Sequence, residues 1–314
     1  MNIVMLDTHT LGENALTPLE QLGHFTGYAL TSPSEVIPRS KNAHVLITNK
    51  VKITKEHMQA LPNLQLICVA ATGTNNIDLP AARECGVTVC NVAGYSTASV
   101  IQHTFTLMSL LLNNMHRYIN DCHEGAWQRS DMFCRLDYPI HELAGKQLTI
   151  IGYGELGQGV EKVAQAFGMQ VVIAERQGAE PRQGRMRFED ALAQADIVSI
   201  HSPLTEDTVN LINADTLALM KPSAVLINTA RGPIINEADL AQALTNGTIA
   251  GAALDVLSEE PARSDNPLLE YTGSNLLLTP HTAWASHQAR DRLIAQIALN
   301  ITAFTHGESR NLVS

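Results

Sequence analysis

Apolar positions along the chain fall into short runs separated by longer amphipathic stretches, and this alternation predicts the elements. In the first 89 residues, apolar runs at 3–6, 45–48, 64–70 and 87–90 have strand character. Helical spacing begins at about Leu16, recurs near 54–60, and covers 79–84 behind Asp78, an N-cap residue type. The pattern resumes in the segment 142–282, with strands over 146–151, 169–174, 197–200, 224–229, 249–256 and 276–279. A helix over 155–168 places Leu156, Val160, Val163, Ala164 and Phe167 on one side. Strands alternating with helices predict an α/β fold of two domains, each a parallel sheet flanked by helices.

Two segments depart from the alternation. The stretch from Ser99 to about Tyr118 reads as one helix with apolar residues on several faces, among them Val100, Ile101, Phe105, Met108, Leu111, Leu112 and Met115. Such a helix must be buried, within the chain or against a partner. Residues 121–140 are irregular and polar, with Trp127, Phe133, Tyr138 and Pro139 as large exceptions. An arm of that length is unusual inside a compact domain, and wrapping a second subunit would order it. A homodimer is therefore expected. A last helix over 284–305, with Leu293, Ile294, Ile297, Ile301 and Phe304 as its stripe, is expected to return to the first domain.

The chain has 314 residues, more than one core usually supports, since single cores stop growing near about 250–300 residues. Its formal charge of −10, with no basic block, argues against nucleic acid and anionic membrane as partners. The N-terminus lacks a basic region, and the most apolar helical segment, 104–112, is too short to span a bilayer, so a cytoplasmic protein is expected. Five cysteines without a C-x-x-C pair suggest neither a disulfide framework nor a zinc site. None of the twelve histidines falls in H-E-x-x-H, and no metal is expected.

Candidate chemistry gathers at strand ends. Gly152-Tyr153-Gly154-Glu155-Leu156-Gly157 stands between a strand and a helix. There the first glycine permits the bend, the second lets the backbone approach a pyrophosphate, and the third lets helix and strand pack closely. The helix N-terminus offers its N–H groups to the anion. Glu175 ends the next strand, eighteen residues after Gly157, where an acid accepts from the adenosine ribose. The second domain is thus expected to be a Rossmann-type dinucleotide-binding domain. Ala71-Thr72-Gly73-Thr74-Asn75-Asn76 is a loop of small and polar residues whose N–H groups suit an anion. Arg231, Glu260 and His281 lie at or just beyond later strands. Reduction of a 2-oxo acid needs a proton donor for the carbonyl oxygen, which histidine supplies, and a cation for the carboxylate, which the planar arginine fork supplies. A carboxylate beside the histidine would favour its charged form.

Over nearly its whole length the chain resembles the D-isomer-specific 2-hydroxyacid dehydrogenases. The resemblance is carried by the glycine turn, Asn228-Thr229-Ala230-Arg231-Gly232, Asp255-Val256 with Glu260-Pro261, and Pro280-His281. It implies that Arg231 holds the substrate and polarises its carbonyl, that His281 is the acid/base, that Glu260 orients His281, and that Asp255 lies near the nicotinamide carboxamide. The substrate domain would comprise residues 1–98 and 285–314, and the NAD-binding domain 99–284. The expected cofactor-binding set is Gly152, Gly154, Glu155, Leu156, Gly157, Glu175, Arg176, Ser202, Pro203, Thr208, Thr229, Ala230, Arg231, Asp255 and Thr104. The expected substrate contacts are Thr72, Gly73, Thr74, Arg231, His281 and Trp284. Within the family, Ala-Ala-Thr-Gly-Thr-Asn-Asn-Ile-Asp, Gly-Tyr-Ser-Thr-Ala-Ser-Val and Pro-His-Thr-Ala-Trp look most like glycerate dehydrogenases, also called hydroxypyruvate reductases. Glu175 favours NADH, while Arg176 after it is a residue type that can favour the 2′-phosphate of NADP. Reduction of another small 2-oxo acid such as pyruvate, or a nucleotide-sensing regulatory role without catalysis, are the other readings.

Overall fold

A computed structural model describes residues 1–313. The chain divides into two compact units: Met1–Ser96 joined by the chain from Ala285 onward, and Thr97–Trp284. The first boundary falls at Thr97 because a helix, Thr97–Leu112, begins there and lays its inner side on the second sheet.

The first unit holds β1 (Asn2–Met5), β2 (His24–Gly27), β3 (Val45–Thr48), β4 (Leu66–Val69) and β5 (Thr88–Cys90), all parallel in the order β2-β1-β3-β4-β5. Strands β3 and β4 are buried at every position, which is why they read as unbroken apolar runs. The edge strand β2 is not visible in that pattern: His24 and Thr26 are polar, and none of its four residues is fully buried. The returning helix is His287–Thr305, three residues shorter at its start than expected, because the Ser286 hydroxyl accepts from the Ala289 N–H and fixes the N-cap. Within this unit the Arg290 guanidinium donates to the Leu11 carbonyl (2.7 Å) and Arg292 to the Tyr95 carbonyl (2.8 Å).

The second unit holds β6 (Gln147–Ile151), β7 (Gln170–Ala174), β8 (Ile197–Ile200), β9 (Val225–Asn228), β10 (Gly251–Leu254) and β11 (Leu276–Leu278), in the order β11-β10-β9-β8-β6-β7 and again all parallel. The chain leaves β6 toward β7 and then crosses to β8, so the strand order reverses beside β6, the place where ligands bind in open α/β sheets. Phe105, Leu107, Met108 and Leu111 of the helix Thr97–Leu112 pack on one face of this sheet with Leu148, Ile150, Val225 and Ile227. Phe188, Leu192, Leu217, Ile234 and Leu240 cover the other.

The single helix expected to reach Tyr118 is two. Asn114 takes φ +49, left-handed backbone that ends the first helix and turns the chain into Met115–His123. Among the described residues no helix is long and apolar enough to cross a membrane.

Candidate active site

Register decides what meets at the carboxyl edge of the second sheet. Leu278, Leu254, Asn228, Ile200, Ile151 and Ala174 form one row across all six strands. The residues just beyond that row are therefore neighbours in space: His281 after β11, Asp255 after β10, Arg231 after β9, Ser202 after β8, Gly152 after β6 and Glu175 after β7. From Gly152 to His281 the chain folds so that the sequence-predicted set stands along one edge.

At its reactive end, His281 Nδ1 lies 2.6 Å from Glu260 Oε2. The other Glu260 oxygen accepts from the Leu257 N–H at 3.1 Å, so the carboxylate is held from both sides. His281 takes φ +54, a conformation costly for a residue with a side chain and one that clusters at functional positions. The loop is held there by Asp255. Its Oδ1 accepts from the Thr279 hydroxyl (2.6 Å) and the Thr282 N–H (2.9 Å), and its Oδ2 accepts from the Ala283 N–H (2.8 Å). His103 Nε2 lies 3.4 Å from Oδ1 and 3.0 Å from the Thr279 hydroxyl. Burial of Asp255 raises its pKa, but the hydrogen bonds from His103, Thr279 and the two backbone N–H groups outweigh this and hold it below the usual carboxylate range. Asp255, expected beside the nicotinamide, thus uses both oxygens to pin the His281 loop. Trp284 follows Ala283 and is half-buried.

Arg231 is placed by Asn228, a buried residue whose Oδ1 accepts from the Ala230 N–H and whose Nδ2 donates to the Arg231 carbonyl, both at 2.9 Å. The Arg231 guanidinium donates to the Ala230 carbonyl at 2.6 Å. Thr229 and Thr104 share a hydroxyl contact of 3.0 Å. Asn228 and His103 were not among the expected site residues. Asn228 carries a signal in the sequence, a polar residue closing an apolar strand, whereas His103, between Gln102 and Thr104, carries none.

The glycine turn has the shape a dinucleotide needs. Gly152 has φ +90, and a Cβ there would stand 2.4 Å from the Ser202 nitrogen, so the turn can close only around glycine. A Cβ on Gly157 would meet the Gly152 carbonyl oxygen at 2.3 Å, whereas one on Gly154 would meet open space. Gly154 is the N-cap of the helix Glu155–Ala166 and no side chain caps it, leaving its first N–H groups to a ligand. Glu155 is engaged instead by the Thr97 hydroxyl at 2.6 Å, and Leu156 is half-buried behind it. The Ser202 hydroxyl and His201 Nδ1 are buried without hydrogen-bond partners among the described residues, the state expected of groups that a bound polar ligand completes. Thr208 donates its hydroxyl to the Pro203 carbonyl at 2.8 Å, closing the loop after β8. These residues fit a nicotinamide dinucleotide. Glu175, expected to accept from its ribose, is buried and accepts from Arg182 Nε (2.7 Å), Arg182 Nη2 (2.5 Å) and the Arg176 N–H (2.9 Å). The Arg182 guanidinium holds its carboxyl well below the usual carboxylate range.

In the first unit, the loop after β4 is fixed at both ends. Asn91 Nδ2 donates to the Thr72 carbonyl at 2.7 Å and the Thr72 hydroxyl to the Val92 carbonyl at 3.0 Å. Asn76 Nδ2 donates to the Val51 carbonyl at 3.1 Å, and the Ile77 N–H to the Thr74 carbonyl at 2.9 Å. Gly73 lies between these anchors.

A parallel sheet whose carboxyl edge carries a dinucleotide turn, a His–Glu pair and an arginine describes a nicotinamide-dependent dehydrogenase. Comparison with known proteins agrees. The family model described as the NAD binding domain of D-isomer specific 2-hydroxyacid dehydrogenase matches residues 105–283. The chain is 43% identical over 282 residues to a glycerate dehydrogenase of Methylorubrum extorquens, covering 90% of this chain and 89% of that protein. It is 37% identical over 323 aligned positions to a hydroxypyruvate reductase of Blautia hydrogenotrophica, with both chains covered in full. Among solved structures, an NADPH-dependent glyoxylate/hydroxypyruvate reductase of Sinorhizobium meliloti, in complex with NADP and malonate, matches with a TM-score of 0.83 at 26% identity, covering 100% of this chain and 96% of that one. The chain belongs to the D-isomer-specific 2-hydroxyacid dehydrogenase family, and it is an NAD-dependent oxidoreductase that acts on small 2-hydroxy and 2-oxo acids.

His201 gives this edge a pH signature. Burial lowers its imidazole from 6.5 to about 4, so below pH 6.5 the unfolded chain takes up a proton that the folded one resists. Stability should therefore fall from about pH 6.5 toward about pH 4, by about 3 kcal/mol in all. Glu175 and Asp255 have lowered values and stay ionised through most of that window. Urea midpoints at pH 7 and pH 5 should separate more for the parent than for His201→Asn. Equal separations would contradict the assignment.

Proposed function

We propose that the protein reduces hydroxypyruvate to D-glycerate and glyoxylate to glycolate with NADH, and runs in reverse as a D-glycerate dehydrogenase. The observation that carries this reading is the 2.6 Å His281–Glu260 pair on the sheet edge that also bears the glycine turn and Arg231. When bound, the dinucleotide supplies the hydride. With Nδ1 facing Glu260, His281 presents Nε2 as the donor of the proton to the carbonyl oxygen, and the carboxylate serves as counter-ion to the protonated ring. Arg231 polarises that carbonyl and binds the adjacent carboxylate, which its fork accepts in bidentate fashion. In the first unit, the backbone N–H groups of Thr72, Gly73 and Thr74 suit a carboxylate, on a loop that Asn76 and Asn91 anchor. In the second unit, the indole N–H of Trp284 is assigned to the C3 hydroxyl. A bare Glu175 would favour NADH over NADPH, and its pairing with Arg182 sets how far that preference survives. Similarity to the Methylorubrum glycerate dehydrogenase and the Blautia hydroxypyruvate reductase supports the substrate choice.

The second copy in a homodimer is the occupant we assign to the outer side of the helix Thr97–Leu112. Ala98, Ile101, Phe105, Leu110, Val163 and Phe167 line an open apolar groove of about 770 Å³ there. In the following segment Phe133 is 88% exposed and Leu136 72% exposed, with Trp127, Met132 and Ile140 also in solvent. Exposure on this scale over one short segment is costly for a monomer.

In a steady-state panel, kcat/KM for hydroxypyruvate should exceed that for pyruvate by about 10²-fold or more, because polar groups that meet a C3 hydroxyl are left unpaired by its analogue. Parity between the two would leave only the broader dehydrogenase reading. Sedimentation should show a dimer at micromolar concentration, with Phe133→Asp and Ile101→Asp moving it toward monomer; a monomeric parent would refute the assembly.

A further inference from the structure

The carboxylate at the end of β7 is already neutralised by a residue of the chain. Gly178 and Gly184, both with positive φ, turn the segment after Glu175 back on itself. The Arg185 N–H donates to the Arg182 carbonyl (3.0 Å), and Met186 bridges beside Ala174 in parallel fashion. This fold-back lays Arg182 across Glu175 with two guanidinium contacts, Nε to Oε2 at 2.7 Å and Nη2 to Oε1 at 2.5 Å, while Arg185 Nη1 stands 3.7 Å from Oε1. The Glu175 side chain is 1% exposed and that of Arg182 57% exposed, so the cation, and not the acid, faces solvent at this strand end.

We propose that Arg182 is a specificity-determining residue for the cofactor: by pairing with Glu175 it cancels the repulsion of a 2′-phosphate and offers that phosphate its own exposed guanidinium. The proposal rests on the assignment of the Gly152–Gly157 turn to a nicotinamide dinucleotide. Glu175 and Gly152 follow residues paired across adjacent strands, Ala174 and Ile151, so the pair lies beside the glycine turn. A bare carboxylate there would reject NADPH and accept hydrogen bonds from the NADH ribose. Covered by Arg182, with Arg176 and Arg185 on the same segment, it presents three cations against one buried anion, with Glu180 in solvent on the loop between them. NADPH thus remains a usable cofactor beside NADH, and Arg182 is the side chain that keeps it so. Arg176, the residue the sequence singled out, has only its backbone N–H on Glu175 among the contacts that the structure shows.

Direct binding tests this without turnover. Cofactor-fluorescence titrations of NADH and NADPH are run on the full-length parent, Arg182→Gln and Arg182→Lys. The parent should bind both within about tenfold of each other. Arg182→Gln should weaken NADPH by about tenfold or more, the loss expected for a charge-assisted hydrogen bond, while leaving NADH equal or tighter; Arg182→Lys should restore part of the NADPH affinity. An unchanged NADPH/NADH ratio in Arg182→Gln, with hydroxypyruvate reduction intact, would overturn the role of Arg182 alone. A parent that binds neither cofactor would overturn the dinucleotide assignment and this inference together.

Discussion

Asp255 is a carboxylate almost sealed from solvent, and a buried charge is tolerated only when its lone pairs are met by donors. Here the donors are the Thr279 hydroxyl, two N–H groups of the loop 279–283, and His103 from the neighbouring helix. Satisfying that one anion fixes the loop in which His281 adopts its left-handed backbone, and the imidazole is thereby aimed at Glu260. The strain at His281 is about 1–3 kcal/mol for a residue of this kind, within what several hydrogen bonds to a charged group supply. The His281–Glu260 geometry thus depends on a third, buried carboxylate.

Register extends this local constraint to the whole edge. Because all six strands of the second sheet are parallel and their last residues align, each connection leaves from the same edge. Arg231, after β9, stands between the dinucleotide turn after β6 and His281 after β11. The glycines contribute by absence: at Gly152 and Gly157 the backbone passes too near its neighbours for a side chain, and at Gly154 the open space is where a pyrophosphate would lie.

Most of the sheet was legible because buried parallel strands are apolar on both faces, as Val45-Leu46-Ile47 and Val225-Leu226-Ile227 show. The strand β2 was not, since His24 and Thr26 at the sheet edge carry no such signal. A single asparagine split the long helix, and Asn is compatible with helical and left-handed backbone alike, so Asn114 could not be read as a break. Arg231, Glu260 and His281 were legible through their motifs, and the structure sets them on one edge. What the motifs did not contain was who occupies each carboxylate. The partner of Glu175 is seven residues away around a folded loop, and those of Asp255 come from two other elements; such pairings depend on the path of the chain.

We propose that His281 and Glu260 act as one unit in transferring a proton to a 2-oxo acid. A kinetic cycle of the parent, Glu260→Gln, His281→Asn and the double variant, with NADH and hydroxypyruvate, tests it most directly. His281→Asn should lower kcat/KM by about 10²–10⁴-fold, Glu260→Gln should lower it by less, and the double variant should be no worse than His281→Asn alone. Independent, multiplying losses, or full turnover in His281→Asn, would contradict it.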